Sequence, residues 1–111
     1  MPSSDEFYYH LNNKALKGDG FLTSGNLGVN FATETMDATL RSQGLVWQGG
    51  GSLEAFYNGS IRLKADHTNV LSDMAGRFIG KNAEGAMVIY KLITDTDGVN
   101  YEIGTTIFER H

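Results

Sequence analysis

Along most of this chain apolar and polar residues alternate one for one, the spacing of a strand with one buried face. Leu27, Val29 and Phe31 point one way while Gly28 and Asn30 point the other. After Thr33-Glu34-Thr35 the alternation resumes, with Met36, Ala38 and Leu40 set against Asp37, Thr39 and Arg41. Two half-buried runs joined by so short a turn predict a hairpin. Leu45 and Trp47 follow against Gln48, and Gly49-Gly50-Gly51 is expected to break that strand. Leu53, Ala55 and Tyr57 make the next alternating set. Asn58-Gly59 then reads either as a type I′ hairpin turn or as a bulge within one strand running on to Ile61, Leu63 and Ala65. Residues 66–69 and 72–73 read as loops, 76–80 as a short strand, and 86–93 as a long one with Val88, Tyr90 and Leu92 on one face. Asp95-Thr96-Asp97-Gly98 is a turn by composition, Asp97-Gly98 supplying the positive φ. Tyr101, Ile103, Thr105 and Ile107 alternate to the end, with Phe108 facing the other way. Helical spacing is nearly absent, and residues 13–17 are the best, but poor, helical stretch.

About eight strands separated by turn signals predict an all-β fold. A sheet with one apolar face must close or be covered, and closing it removes its edges. The expected architecture is an eight-stranded antiparallel up-and-down barrel with a filled core, since a barrel of that size is just wide enough for its own side chains. The expected inward set is Val29, Phe31, Met36, Leu40, Trp47, Leu53, Tyr57, Ile61, Leu63, Phe78, Val88, Tyr90, Ile103 and Ile107. The chain is one domain, residues 1–23 giving an N-terminal segment and the first strand and residues 24–111 the remainder of the barrel.

Composition narrows the function classes. The 111 residues carry a net charge of −4, which argues against a nucleic-acid or anionic-membrane partner. No run approaches the ~18 apolar residues of a spanning helix, so direct membrane insertion is not expected. The absence of cysteine excludes disulfides, thiolate metal sites, a cysteine nucleophile and a lipid-acceptor thiol. Met1-Pro2-Ser3-Ser4-Asp5-Glu6 is polar and acidic, not a leader. The chain is therefore either cytosolic or part of a larger exported protein, and the abrupt start favours the second.

Candidate chemistry is sparse. The histidines are His10, His67 and His111. Asp66-His67 pairs a carboxylate with an imidazole, but in a loop and with no serine in a nucleophile elbow, so no enzyme is expected. Asp95-x-Asp97-Gly98 with Glu102 is a fragment of a calcium loop whose last carboxylate comes four residues after the glycine instead of six; a plain turn accounts for it, and no metal is expected. For haem, Tyr8, Tyr9, His10 and His67 are the candidate axial ligands. Phe7-Tyr8-Tyr9-His10 reads more readily as a first barrel strand with Phe7 and Tyr9 inward. Tyr8, Phe56 and Phe108 lie opposite the expected core residues and are candidate partner contacts. Asn58-Gly59-Ser60 matches a glycosylation acceptor but reads as a turn, and Arg62 and Lys64 as a solvated strand face.

Three segments resemble a known family. Leu27-Gly28-Val29-Asn30-Phe31-Ala32-Thr33 with Met36-Asp37-Ala38-Thr39-Leu40 resembles the hairpin l-x-V-D-F-x-x-x-T-v-x-x-x-L. Gly76-Arg77-Phe78-Ile79-Gly80-Lys81-Asn82-Ala83-Glu84-Gly85-Ala86 resembles G-x-F-x-G-x-x-A-e-x-x-G, with its second glycine placed slightly early. Gly104-Thr105-Thr106-Ile107-Phe108-Glu109-Arg110 resembles the closing strand G-x-x-x-F-x-r. Together they look like the barrel of the transferrin-binding-protein-B-like superfamily, especially versions at the C-terminus of bacterial surface or FecR-domain proteins. The likeness covers about residues 24–110 and is loose from 41 to 73. Its anchors, Val29, Phe31, Leu40, Gly76, Phe78, Gly80, Ala83, Gly85 and Phe108, are structural residues. The resemblance implies a non-enzymatic module of a larger extracytoplasmic protein, in the periplasm, on the outer-membrane surface or secreted. Its implied partner is a protein, either a host protein, as in iron acquisition from transferrin, or an outer-membrane translocator. The alternative is a carrier barrel for haem or another apolar ligand. No binding residue is transferred by the resemblance.

Overall fold

The computed structural model describes residues 6–18 and 22–110. Eight strands, β1 (Glu6–Gly18), β2 (Ser24–Asn30), β3 (Thr35–Ser42), β4 (Leu45–Ser52), β5 (Ile61–Ala65), β6 (Thr68–Ile79), β7 (Gly85–Ile93) and β8 (Tyr101–Arg110), follow one another around a closed barrel. Each is antiparallel to its neighbour and β8 pairs back onto β1. This is the architecture expected from the alternation. One end carries the β2–β3 turn, the helix α1 (Leu53–Asn58) and the β6–β7 turn; the other carries the β3–β4 and β5–β6 turns and the β7–β8 loop.

The barrel is filled by its own side chains. Trp47, Tyr9, Phe56, Phe108, Leu27, Leu40, Ile61, Leu63 and Leu92 are all essentially inaccessible to solvent, and burying each contributes about 1.5–3 kcal/mol or more. The β2–β3 hairpin has the expected register, Leu27 opposite Ala38 and Val29 opposite Met36, and β7 turns Val88, Tyr90 and Leu92 inward.

Several expectations need correction. Leu53, Ala55 and Tyr57 lie on α1, not on a strand. Ser52 caps the helix, its hydroxyl accepting the Ala55 N–H at 3.0 Å, and the buried pair Leu53 and Phe56 has the i, i+3 spacing of one helix face. Asn58-Gly59 is therefore neither a hairpin turn nor a bulge: Gly59, at φ 82°, is the left-handed C-cap. Tyr57 is exposed and Phe56 buried, the reverse of the alternating reading.

Gly49-Gly50-Gly51 does not end β4, because the three residues continue the ladder opposite Ala38, Asp37 and Met36. Residues 72–73 belong to β6, where Ser72 faces inward and its hydroxyl accepts the Ile93 N–H at 2.8 Å. Residues 13–17 extend β1 through irregular pairing with β8. Finally, β8 has the opposite parity: Glu102, Gly104, Thr106 and Phe108 are buried, while Tyr101 and Ile103 are exposed and Ile107 half-buried. The cause is steric. Tyr90 and Gly104 are paired in register, and a Cβ at Gly104 would collide with the Tyr90 hydroxyl, so the Tyr90 ring needs a residue without a side chain facing it.

Candidate functional site

Inverting β8 moves a row of large apolar side chains to the outside. Register places Arg62, Asp73, Lys91 and Ile103 side by side on the outer wall; the next row is Ala75, Ile89 and Thr105, and the next Arg77, Met87 and Ile107. Ile89 is 52% exposed and Met87, Ile103, Tyr101 and Ile79 are also open to solvent. Tyr57 of α1, exposed likewise, stands beside this field. Three shallow hollows lie in it; the one of about 510 Å³ sits toward the β6–β7 turn between Ile79, Ile107, Glu84 and Glu109, and the other two adjoin one another. The first of these two, about 310 Å³, is lined by Tyr57, Ala75, Gly76, Arg77, Met87 and Ile89 among others. The second, about 260 Å³, shares Ala75 and Ile89 and continues past Gly59 to Lys91 and Ile103. Together they form one groove along β6.

The helix end fixes the rim of this groove. Phe56 seats its ring over Gly76, where a Cβ would clash with it, and so α1 is held against β6. Phe78 is half-buried, packing at ring-centroid distances of 5.0 Å from Phe31, 5.5 Å from Tyr9 and 5.6 Å from Phe56. Phe31 is likewise half-buried. Gly80 and Ala83 take left-handed backbone in the β6–β7 turn, and the Ala83 carbonyl accepts the Tyr9 hydroxyl at 2.7 Å. Burial is the main reason that hydroxyl titrates above its usual range. Arg110 stacks over Phe7 at 4.7 Å and donates to the Asn82 carbonyl.

The loop end is polar inside. The Ile93 carbonyl receives Trp47 Nε1–H at 3.1 Å and lies 2.8 Å from His67 Nε2. Thr68 donates to the Thr96 carbonyl. Glu102 is buried, its Oε1 accepting from the Ser42 hydroxyl at 3.0 Å and from the Gln43 side-chain amide. Tyr90 titrates above its ordinary range because it is buried and, to a lesser extent, because Glu102 is near. In the β7–β8 loop Asp95 accepts N–H groups from Gly98, Val99 and Asn100. Only Gly98 of the Asp97-Gly98 pair has positive φ; the carboxylate organises this turn.

The residues singled out for chemistry do not converge. Tyr8 is on the outer wall and Tyr9 in the core. His10 is half-buried between Asn26 and Glu109, whereas His67 sits at the opposite end of the barrel. Phe56 and Phe108, expected as exposed partner contacts, are fully buried, because one is on a helix and the other on the inverted strand. His111 lies outside the described residues. Among the described residues no three His, Cys, Asp or Glu side chains are grouped to hold a metal ion. Sequence reasoning missed Glu102 as a buried acidic side chain and the β6–β8 wall as an apolar face. The available signal was that both parities of β8 contain large apolar residues, so one of them had to be outside. Comparison with protein-family models, with curated proteins and with solved structures finds no match to this chain.

Proposed function

We propose that this barrel is a non-enzymatic recognition module of a larger bacterial extracytoplasmic protein and engages a protein partner through the outer wall of β6–β8. The observation that supports this reading is the exposed field formed by Ile89, Met87, Ile103, Tyr101 and Tyr57. A contiguous apolar surface is costly to leave in water and marks an interaction site in soluble domains. Its aromatic and methionine content is that of interface centres. The carrier alternative has less support, because the interior is taken up by Trp47, Tyr9, Phe56 and Phe108, and the hollows along β6 lie outside the wall. A photo-crosslinking residue placed at Ile89 is expected to give a discrete protein adduct when the full chain is expressed in a bacterium with an outer membrane. The same residue at Thr39 should give none. Equal labelling from both positions, or none from Ile89, would sink the proposal.

A further inference from the structure

The charges around the groove along β6 restrict what it can hold. Arg77 lines one hollow and Lys91 the other. Arg77 has no carboxylate partner among the described residues. Asp73 is the only carboxylate lining either hollow, and Arg62 holds it at 2.9 Å. Lys91, beside Asp73 in register, places its ammonium 4.6 Å from the Tyr101 ring centre. Among the described residues the two hollows are thus lined by two cations and by one carboxylate that Arg62 already engages, while the exposed Glu109 lies on the same wall one row beyond Arg77, Met87 and Ile107. The cations flank an apolar stretch whose floor is Ala75 and Gly76 and whose sides are Tyr57, Met87 and Ile89.

We infer that this groove takes a segment of the partner that is apolar in its middle and bears carboxylates on either side, which Arg77 and Lys91 receive. The inference rests on reading the wall as a recognition surface and adds the chemistry of what is recognised. Arg77 is opposite Met87, and Lys91 lies four residues further along β7. The two cationic positions are therefore about 14 Å apart, given ~3.3 Å per residue along a strand and ~4.8 Å between strands. That span is about four residues of an extended segment or about nine of a helix. A second copy of the chain fits less well, because packing groove against groove would oppose like cations, and Asp73, the carboxylate that lines the groove among the described residues, is already held by Arg62. Opposite charge brought into a partly desolvated apolar site is what gives such a contact its selectivity.

The probe is a phage-displayed library of random dodecapeptides selected on the immobilised full chain. Selected peptides are expected to combine apolar residues with Asp or Glu, and to bind more weakly as salt is raised. Their affinity should fall at least tenfold in Arg77→Glu/Lys91→Glu, and by a smaller factor in the milder Arg77→Gln/Lys91→Gln. It should be lost in Met87→Ser/Ile89→Ser. Circular dichroism of each variant checks that the barrel is intact. Peptides without acidic enrichment that are still lost in the serine variant would overturn the acidic partner and leave the wall reading standing. Peptides indifferent to all these changes would overturn both. A concentration-dependent dimer in sedimentation, abolished by Ile89→Ser, would assign the wall to a second copy instead. Binding to phosphatidylglycerol vesicles, lost in the same variant, would assign it to a membrane surface.

Discussion

Thr39 and Ile89 hold equivalent places in the barrel, each pointing outward from mid-strand between two antiparallel neighbours. Thr39 lies between Asn26 and Gln48, and Ile89 between Ala75 and Thr105. The inward sides of the two strands match: Met36, Ala38 and Leu40 on β3, and Val88, Tyr90 and Leu92 on β7, are all buried. Only the outer chemistry differs. The β2–β4 wall presents Asn26, Asp37, Thr39, Arg41 and Gln48 with the exposed Val46 among them, whereas the β6–β8 wall sets Ile79, Met87, Ile89 and Ile103 among Asp73, Arg77, Lys91 and Glu109. Folding needs an apolar inside and is served by a polar outside, as β2–β4 demonstrates. The apolar outside of β6–β8 therefore answers to something other than the stability of the isolated barrel, and this difference is the ground for placing recognition there.

The comparison fails if the walls do not share one core, which Trp47 tests most severely. Trp47→Ala should cost about 3–5 kcal/mol in denaturant unfolding, with amide exchange in β3 and β7 accelerating together; loss of protection confined to one wall would show two independent units. A smaller loss is expected from Gly76→Ala, about 1–3 kcal/mol, because the new methyl meets both the Met87 carbonyl of β7 and the Phe56 ring, and so displaces α1. That change should loosen the rim of the groove while leaving β2–β4 exchange unaltered. Exchanging the outer chemistry sharpens the contrast. Ile89→Thr is expected to change stability by no more than about 0.5 kcal/mol, whereas binding at the wall should fall. A large loss of stability would mean that Ile89 serves the fold.

The smallest effect concerns the loop end. Hydrogen bonds from Asn100, Gly98 and Val99 outweigh the desolvation that opposes them and hold the Asp95 carboxyl below its ordinary value of 3.8. The folded state thus binds this proton more weakly than the unfolded chain. The stability that Asp95 contributes is complete above that ordinary value and is lost as pH falls below it through the lower folded value. Melting curves of the native chain should show this acid-side loss, and Asp95→Asn should reduce it without affecting either wall.

How much was legible depended on whether one parity of a segment was clearly polar. On β2 and β3 the outward positions of the alternation are polar or glycine and the faces follow, whereas on β7 Met87 and Ile89 face outward and only Lys91 between Tyr90 and Leu92 marks the polar side. On β8 Ile103 and Ile107 compete with Phe108, and hydrophobicity cannot choose between them. Residues 53–57 offer Leu53, Ala55 and Tyr57 at period two and Leu53 and Phe56 at helical spacing. The short helix was signalled only by Ser52 before it and Gly59 after it. The groove was illegible because its lining comes from α1, β6 and β7, and the overall net charge conceals the local excess of cations around it.

From its sequence alone, then, this protein is an antiparallel barrel of about eight strands, since period-two burial repeated along a chain leaves a one-sided sheet that must close on itself. The same residues carry no statement of which side of β8 faces in. That was decided when Tyr90 and Gly104 met across the barrel wall, because two large side chains cannot occupy one place. The choice put Ile103 outside beside Ile89 and Met87. A surface site assembled across three strands and a helix exists only once register has brought its parts together.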